Sequence, residues 1–172
     1  MDEILPDVLQ PGLRVVFCGS AVGNESYRQA AYYAHKQNRF WPTLQEIGLT
    51  PALFDAKDYP RVRKFKIGLT DLAKHVHGVD KQLKPTDDNK RRLQRLIERH
   101  QPCALAFTGK RPARVFLGLR KVAYGRQSES IGRTVIFVLP SPSPAARRYW
   151  DIGPWKQLAT FVQNDRVAHS IP

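Results

Sequence analysis

Leu13-Arg14-Val15-Val16-Phe17-Cys18 runs directly into Gly19-Ser20-Ala21-Val22-Gly23-Asn24-Glu25-Ser26. The first part is short, nearly all apolar and rich in β-branched and aromatic residues. Such a run reads as a strand covered on both faces, the usual setting of a parallel strand. Cys103-Ala104-Leu105-Ala106-Phe107 and Thr134-Val135-Ile136-Phe137-Val138-Leu139 have the same character, and Phe65 to Leu69 is a weaker fourth. Helical stretches lie between them. Asn38 to Ile47 carries Phe40, Trp41, Leu44 and Ile47 at helical spacing and stops at Gly48. Thr86-Asp87-Asp88 opens a helix with acidic groups at the positive end of its dipole; Leu93, Leu96 and Ile97 share a face, and the helix ends before Pro102. Trp155 to Val162 reads as a final helix with Trp155, Leu158, Ala159 and Val162 inward. Strands alternating with helices predict an α/β three-layer sandwich around a mostly parallel, four-stranded sheet. A length of 172 residues fits one domain over residues 1–172.

Composition narrows the partners. Lys and Arg number 28 against 15 Asp and Glu, a net charge of +13. This excess fits a polyanion, whose phosphates supply affinity independent of sequence. No apolar run approaches the ~20 residues of a membrane span, and Met1-Asp2-Glu3-Ile4-Leu5-Pro6 lacks a secretion pattern. The two cysteines, Cys18 and Cys103, lie in apolar segments with no zinc spacing. They read as reduced core thiols, and the chain is expected to be a cytoplasmic monomer. Among the histidines only His75-x-His77 is closely spaced, and it reads as a loop or helix feature rather than a metal site.

In open parallel sheets, ligands bind beyond the carboxyl ends of the strands. Attention therefore falls on the loops after Cys18, Leu69, Phe107 and Leu139. In the first, Gly19 and Gly23 flank a tight turn whose backbone N–H groups can approach a ligand, a generic strand-to-helix turn being the competing reading of these residues alone. Next comes Tyr32-Tyr33-Ala34-His35-Lys36-Gln37-Asn38-Arg39-Phe40-Trp41, aromatic rings beside an amide and basic groups, which suits a pocket that stacks a base and reads its edge. Phe40 and Trp41 themselves read as core. The last loop, Pro140-Ser141-Pro142-Ser143-Pro144-Ala145-Ala146-Arg147-Arg148, is stiffened by alternating prolines and bears hydroxyls and arginines that suit contact with a DNA backbone, a plain proline-rich connector being the competing reading.

These three segments, in this order, resemble the uracil-DNA glycosylase superfamily over most of the chain. Pro11-Gly12-Leu13-Arg14-Val15-Val16-Phe17-Cys18-Gly19 looks like the start of the mismatch-specific uracil/thymine enzymes. Tyr32 through Trp41 is similar both to them and to the hypoxanthine-DNA glycosylase branch, and Val138 through Arg147 resembles the thymine-glycosylase form of the last motif. The Asn38-Arg39-Phe40-Trp41 stretch and the last loop are the specific parts. The chain also departs from the pattern. The mismatch enzymes read Gly-Ile-Asn-Pro-Gly after the first strand, and that Asn holds the attacking water; here the position is Ala21, whose methyl cannot. Ser141 stands where bacterial mismatch enzymes often have Asn.

The resemblance implies a DNA glycosylase that extrudes and hydrolytically excises a deaminated base, uracil foremost, leaving an abasic site, with no metal or organic cofactor. The hypoxanthine branch relies on the Asn corresponding to Asn38, the first catalytic candidate. Asp71, after a predicted strand end, is the second, with a helix cap as its competing reading; Asn24 and Glu25 are further polar candidates. Gly19, Ser20, Ala21, Val22 and Gly23 are expected to bind the base through backbone N–H groups, with Tyr33 stacking on it and Asn38 bonding its edge or orienting water. Ser141 and Ser143 are expected to hold phosphate, and Arg147 to fill the space the base leaves. Two rival readings are a non-catalytic nucleic-acid-binding module of the same fold and a small-molecule α/β enzyme. The second leaves the basic excess and the Pro-Ser loop unexplained.

Overall fold

The computed structural model describes residues 2–78 and 84–168. Five strands form one sheet: β1 (Val15–Gly19), β2 (Ile67–Asp71), β3 (Ala104–Phe107), β4 (Gly125–Ile131) and β5 (Thr134–Val138), in the order β2-β1-β3-β5-β4. β1, β2, β3 and β5 run parallel, and they are the four strands expected from the apolar runs. The fifth corrects the expectation of four. β4 pairs antiparallel with β5 through a turn at Gly132, at the edge of the sheet. In Gly125-Arg126-Gln127-Ser128-Glu129-Ser130-Ile131 only the two end residues are buried, so this water-facing edge strand has no apolar pattern to give it away.

Alternate residues of the central strands face two cores. Val15, Phe17, Ala104, Ala106 and Phe137 pack under α2 (Phe40–Glu46) and α5 (Gly153–Ala168), against Phe40, Trp41, Leu44, Trp155, Leu158 and Val162. Val16, Cys18, Leu105, Phe107, Ile136 and Val138 pack against Leu93 and Ile97 of α3 (Asp87–His100) and Ala113 of α4 (Lys110–Leu117). Both faces are covered, which is why the strands read as continuous apolar runs. Phe17 is fully buried, edge-on to Phe40 at 5.1 Å and stacked on Trp155 at 5.7 Å. Truncating such a ring typically costs about 3–5 kcal/mol.

Local signals set most boundaries. Thr86 caps α3 in a reciprocal box: its Oγ1 accepts the Asn89 N–H, and the Asn89 side chain accepts the Thr86 N–H. Gln101, with φ 42°, ends the helix just before Pro102. The weak fourth strand starts two residues later than expected, because a 3-10 segment, Ala56–Phe65, precedes it and closes with Lys66 in the left-handed region. A short helix α1 (Asn24–Gln29) and α4 were not expected. Cys18 is buried in β1, whereas Cys103 lies outside β3 and is half-buried, with its thiol pushed up to about 11 by burial and by Asp165. Among the described residues, no helix is long and apolar enough to cross a membrane.

Candidate active site

The carboxyl ends of β1, β2 and β3 meet around Gly19. Gly19 stands opposite Asp71 in the sheet, and the pairing continues past it, from Leu72 N to Gly19 O at 2.8 Å and from Ala73 N to Ser20 O at 2.9 Å. On the other side the Thr108 N–H donates to Cys18 O at 3.0 Å. A Cβ on Gly19 would lie 2.8 Å from Asp71 Oδ1, 3.5 Å from Thr108 Oγ1 and 3.7 Å from Tyr33 Oη. A carboxylate and two hydroxyls therefore converge over one bare Cα, and a side chain there would displace them. Gly23, the other glycine of the turn, has open space where its Cβ would be.

Tyr33 reaches this point from the stretch between α1 and α2. Its backbone is left-handed, φ 53°, which in a non-glycine residue is strained by roughly 1–3 kcal/mol. Side-chain contacts hold it there. Its ring stacks on Phe40 at 3.8 Å and 16°, and its hydroxyl lies 3.1 Å from Thr108 Oγ1. The Thr108 hydroxyl donates to Cys18 O at 3.4 Å, leaving its oxygen to accept the phenol proton. Burial, reinforced by the Asp71 charge, pushes the Tyr33 phenol well above its usual range, so it stays neutral.

Behind Asp71 lies a polar cluster that the sequence did not reveal. Arg92 Nη2 donates to the Asp71 backbone carbonyl and to Thr70 Oγ1 at 3.2 Å. Asp7 joins the set: its Oδ2 pairs with Arg92 Nη1 at 2.9 Å, and its Oδ1 takes the Thr70 hydroxyl at 2.6 Å and Lys74 Nζ at 2.9 Å. The Lys74 side chain is fully buried, and its ammonium also donates to Tyr32 Oη at 2.9 Å. The segment that carries Asp7 is docked along β2 by the Val8–Leu69 bridge and by Ile4 N to Lys74 O at 3.0 Å. Asp71 itself ends β2 and is 4% exposed, so it is not the helix cap that was its competing reading.

The other expected residues divide into two sets. Ser20 is buried beside Gly19, and its Oγ has no hydrogen-bond partner among the described residues, an arrangement that a ligand hydrogen bond would satisfy. Ala21 is half-buried, while Val22 is buried in the core. Asn38 is half-buried, and its Oδ1 accepts the Phe40 N–H at 2.9 Å, leading the chain into α2. This bond fixes the amide with Nδ2 as its outward donor group. The next residue, Arg39, donates its N–H to Pro142 O at 2.9 Å, so the Asn38 stretch is fastened to the last loop. There Ser141 Oγ accepts Ser143 N and Ser143 Oγ accepts Ala145 N, each at 3.3 Å; both hydroxyls brace the turn and keep a proton to donate. Arg147 is exposed on the 3-10 segment Pro144–Tyr149. A Cβ on Gly109 would lie 3.8 Å from Ser141 Cβ, so the loops after β3 and β5 touch.

Asn24 and Glu25 turn elsewhere. Asn24 Oδ1 meets His77 Nδ1 at 3.2 Å, and the Arg28 hydrogen bond holds the Glu25 carboxyl down to about 2. His75 faces the Asp2 carbonyl at 3.1 Å, away from His77's partner. Sequence reasoning missed Thr108, Asp7, Lys74 and Arg92. Thr108 alone had a signal, its place just past an expected strand end.

The model of the uracil DNA glycosylase superfamily matches residues 6–162. The solution NMR structure of a Methanosarcina acetivorans protein, described there as a candidate uracil DNA glycosylase, superposes with a TM-score of 0.60 at 19% identity, covering 94% of this chain and 96% of that one. At that identity the superposition speaks for the fold, and the family model for kinship over nearly the whole length. The chain belongs to the uracil DNA glycosylase superfamily.

Proposed function

We propose that this protein extrudes a deaminated base from DNA, uracil foremost, and hydrolyses its N-glycosidic bond. The observation that carries the reading is the convergence of Asp71 Oδ1, Thr108 Oγ1 and Tyr33 Oη over Gly19 at the end of a buried parallel sheet. In this reaction the C1′–N bond breaks and the base departs with the electron pair, while a water oxygen bonds to C1′ and gives up a proton. Charge builds in opposite senses on sugar and base, so fixed groups aimed at each lower the barrier. The Asp71 carboxylate orients the water and faces the cationic sugar. Asn38 Nδ2, aimed outward because Oδ1 is engaged, donates to the base edge; this division of roles makes up for the methyl of Ala21. The Tyr33 face opposite Phe40 stacks on the base, and the Ser20 hydroxyl and the N–H groups of the Gly19–Gly23 turn bind its oxygens. Ser141 and Ser143 donate to phosphate, and Arg147 occupies the place the base leaves.

Ala21 is the one observation that favours the rival reading, a DNA-binding module without catalysis. A panel of oligonucleotides separates the two, each with uracil, hypoxanthine, xanthine or mismatched thymine at one position. Incubation with the protein and then alkali should cut at the modified position, and Asp71→Asn should suppress the cut. Tight binding with no alkali-labile site on any substrate would establish the module instead.

A further inference from the structure

Tyr27 and His77 form a flat aromatic pair on the surface, with ring centroids 3.9 Å apart and planes within 7°. Tyr27 belongs to α1, after the first strand; His77 belongs to the loop after β2. Tyr27 is 51% exposed although His77 covers one of its faces, so the exposure comes from the other face and the ring edge. An exposed tyrosine is ordinary; one locked parallel to an imidazole is not. The lock is built from both sides. Asn24 Oδ1 meets His77 Nδ1 at 3.2 Å, and since a carboxamide oxygen only accepts, it selects the Nδ1–H tautomer and holds the ring. Val22 and His77 form a parallel bridge, with Gly78 N donating to Val22 O at 3.0 Å.

The pair is tied to the base pocket. The Tyr27 N–H donates to Gly23 O at 2.8 Å, at the end of the Gly19–Gly23 turn. Its neighbour Ser26 is buried, and Ser26 Oγ accepts the N–H of Ala34, the residue after Tyr33, at 3.1 Å. Tyr27 is thus carried by the same two segments that carry the turn and the proposed stacking ring. The chain as a whole carries a net charge of +13, and the adjacent Arg28 is paired with Glu25 of the same helix.

We infer that the outer face of Tyr27 is a second stacking platform, taking an unstacked nucleobase that flanks the extruded nucleotide in the DNA strand. An open π-face suits any base, and the positive charge of the chain as a whole suits a DNA backbone. Pre-stacking on His77 holds the platform rigid, so little side-chain freedom is lost on binding. The inference rests on the proposed action on DNA.

The test uses the whole chain and DNA carrying a tetrahydrofuran abasic residue, with 5-iodocytosine placed in turn on each side of it. Ultraviolet cross-linking from one side should map by mass spectrometry to Tyr27 or His77; cross-links to neither would overturn the platform. Affinity is then measured for Tyr27→Leu and Tyr27→Phe on DNA with that flanking base present or removed. Tyr27→Leu should weaken binding roughly five- to hundred-fold only when the base is present, and Tyr27→Phe should bind like the parent. Equal losses on both DNAs, or none, would overturn the inference. Base release by the parent chain keeps the two questions apart: release with a Tyr27-independent affinity leaves glycosylase action standing and removes the platform, whereas failure to bind any DNA removes both.

Discussion

Gly19 and Asp71 face each other across β1 and β2, and Asp71 Oδ1 occupies the space a Cβ on Gly19 would need, 2.8 Å from its centre. The glycine is required by the carboxylate rather than by backbone conformation, since its φ is not in the left-handed region. Gly19→Ala should therefore turn the Asp71 carboxyl away while the chain still folds. The expected outcome is a fall in single-turnover excision of about 10²-fold, the loss typical of a displaced catalytic group, with little change in affinity for abasic DNA. A parent-like rate in a folded variant would remove Asp71 from the chemistry.

Asn38 holds α2 with its oxygen and presents its nitrogen outward, and substitution can separate the two duties. Asn38→Asp keeps an acceptor for the Phe40 N–H but replaces the donors with negative charge. Thermal stability should stay near that of the parent, while the rate falls by at least ~10²-fold. Asn38→Ala should lose the rate and also about 0.5–1.5 kcal/mol of stability, the usual net worth of one hydrogen bond, here the one from the Phe40 N–H. Urea melts and single-turnover assays on both variants check this. Equal rates for Asn38→Asp and the parent would show that the amide nitrogen does nothing.

Asp7 is the shared counter-ion of Lys74 and Arg92. Removing one partner from a buried ion pair leaves a desolvated charge, so Asp7→Ala should destabilise the protein by about 3–5 kcal/mol. Replacing both ends in Asp7→Leu/Lys74→Met should recover part of that loss, because the fully buried ammonium goes with the carboxylate and only the partly exposed Arg92 loses its counter-ion. Chemical denaturation of the single and double variants measures the difference.

Burial raises the phenols of Tyr32 and Tyr33, helped in both cases by the Asp71 charge. A raised folded-state pKa means that the folded state holds the proton more tightly than the unfolded chain. The resulting stability is fully present below the ordinary tyrosine value of about 10 and is lost as pH rises above it. Ultraviolet titration should show two tyrosines that ionise only when the protein unfolds in alkali. Tyr33→Phe should remove one of them and retain most activity, since the ring face does the stacking. Smooth ionisation of all six tyrosines near the ordinary value, without unfolding, would contradict the packing.

The four parallel strands, the helices around Phe40, Leu93 and Trp155, the Thr86 cap and the kinship were all legible in the sequence. Each rests on local information: apolar runs buried on both faces, 3.6-residue spacing, a capping residue at the right offset, a motif read in order. The tertiary structure decided the rest. β4 is polar because it lies at the edge, and nothing within its own residues says so. Asp7, Thr70, Lys74 and Arg92 look like ordinary solvated residues, scattered along the chain, until docking of the N-terminal segment on β2 brings them together. Tyr33 and Asn38 were visible as candidates, yet their geometry was not. The phenol reaches Thr108 because the backbone turns left-handed, and the amide points its nitrogen outward because its oxygen is engaged by Phe40. Periodicity and motif are properties of neighbouring residues, so the chain alone specifies them. Which distant groups share a hydrogen bond, and which are left facing a ligand, is settled only when the sheet brings the ends of its strands together.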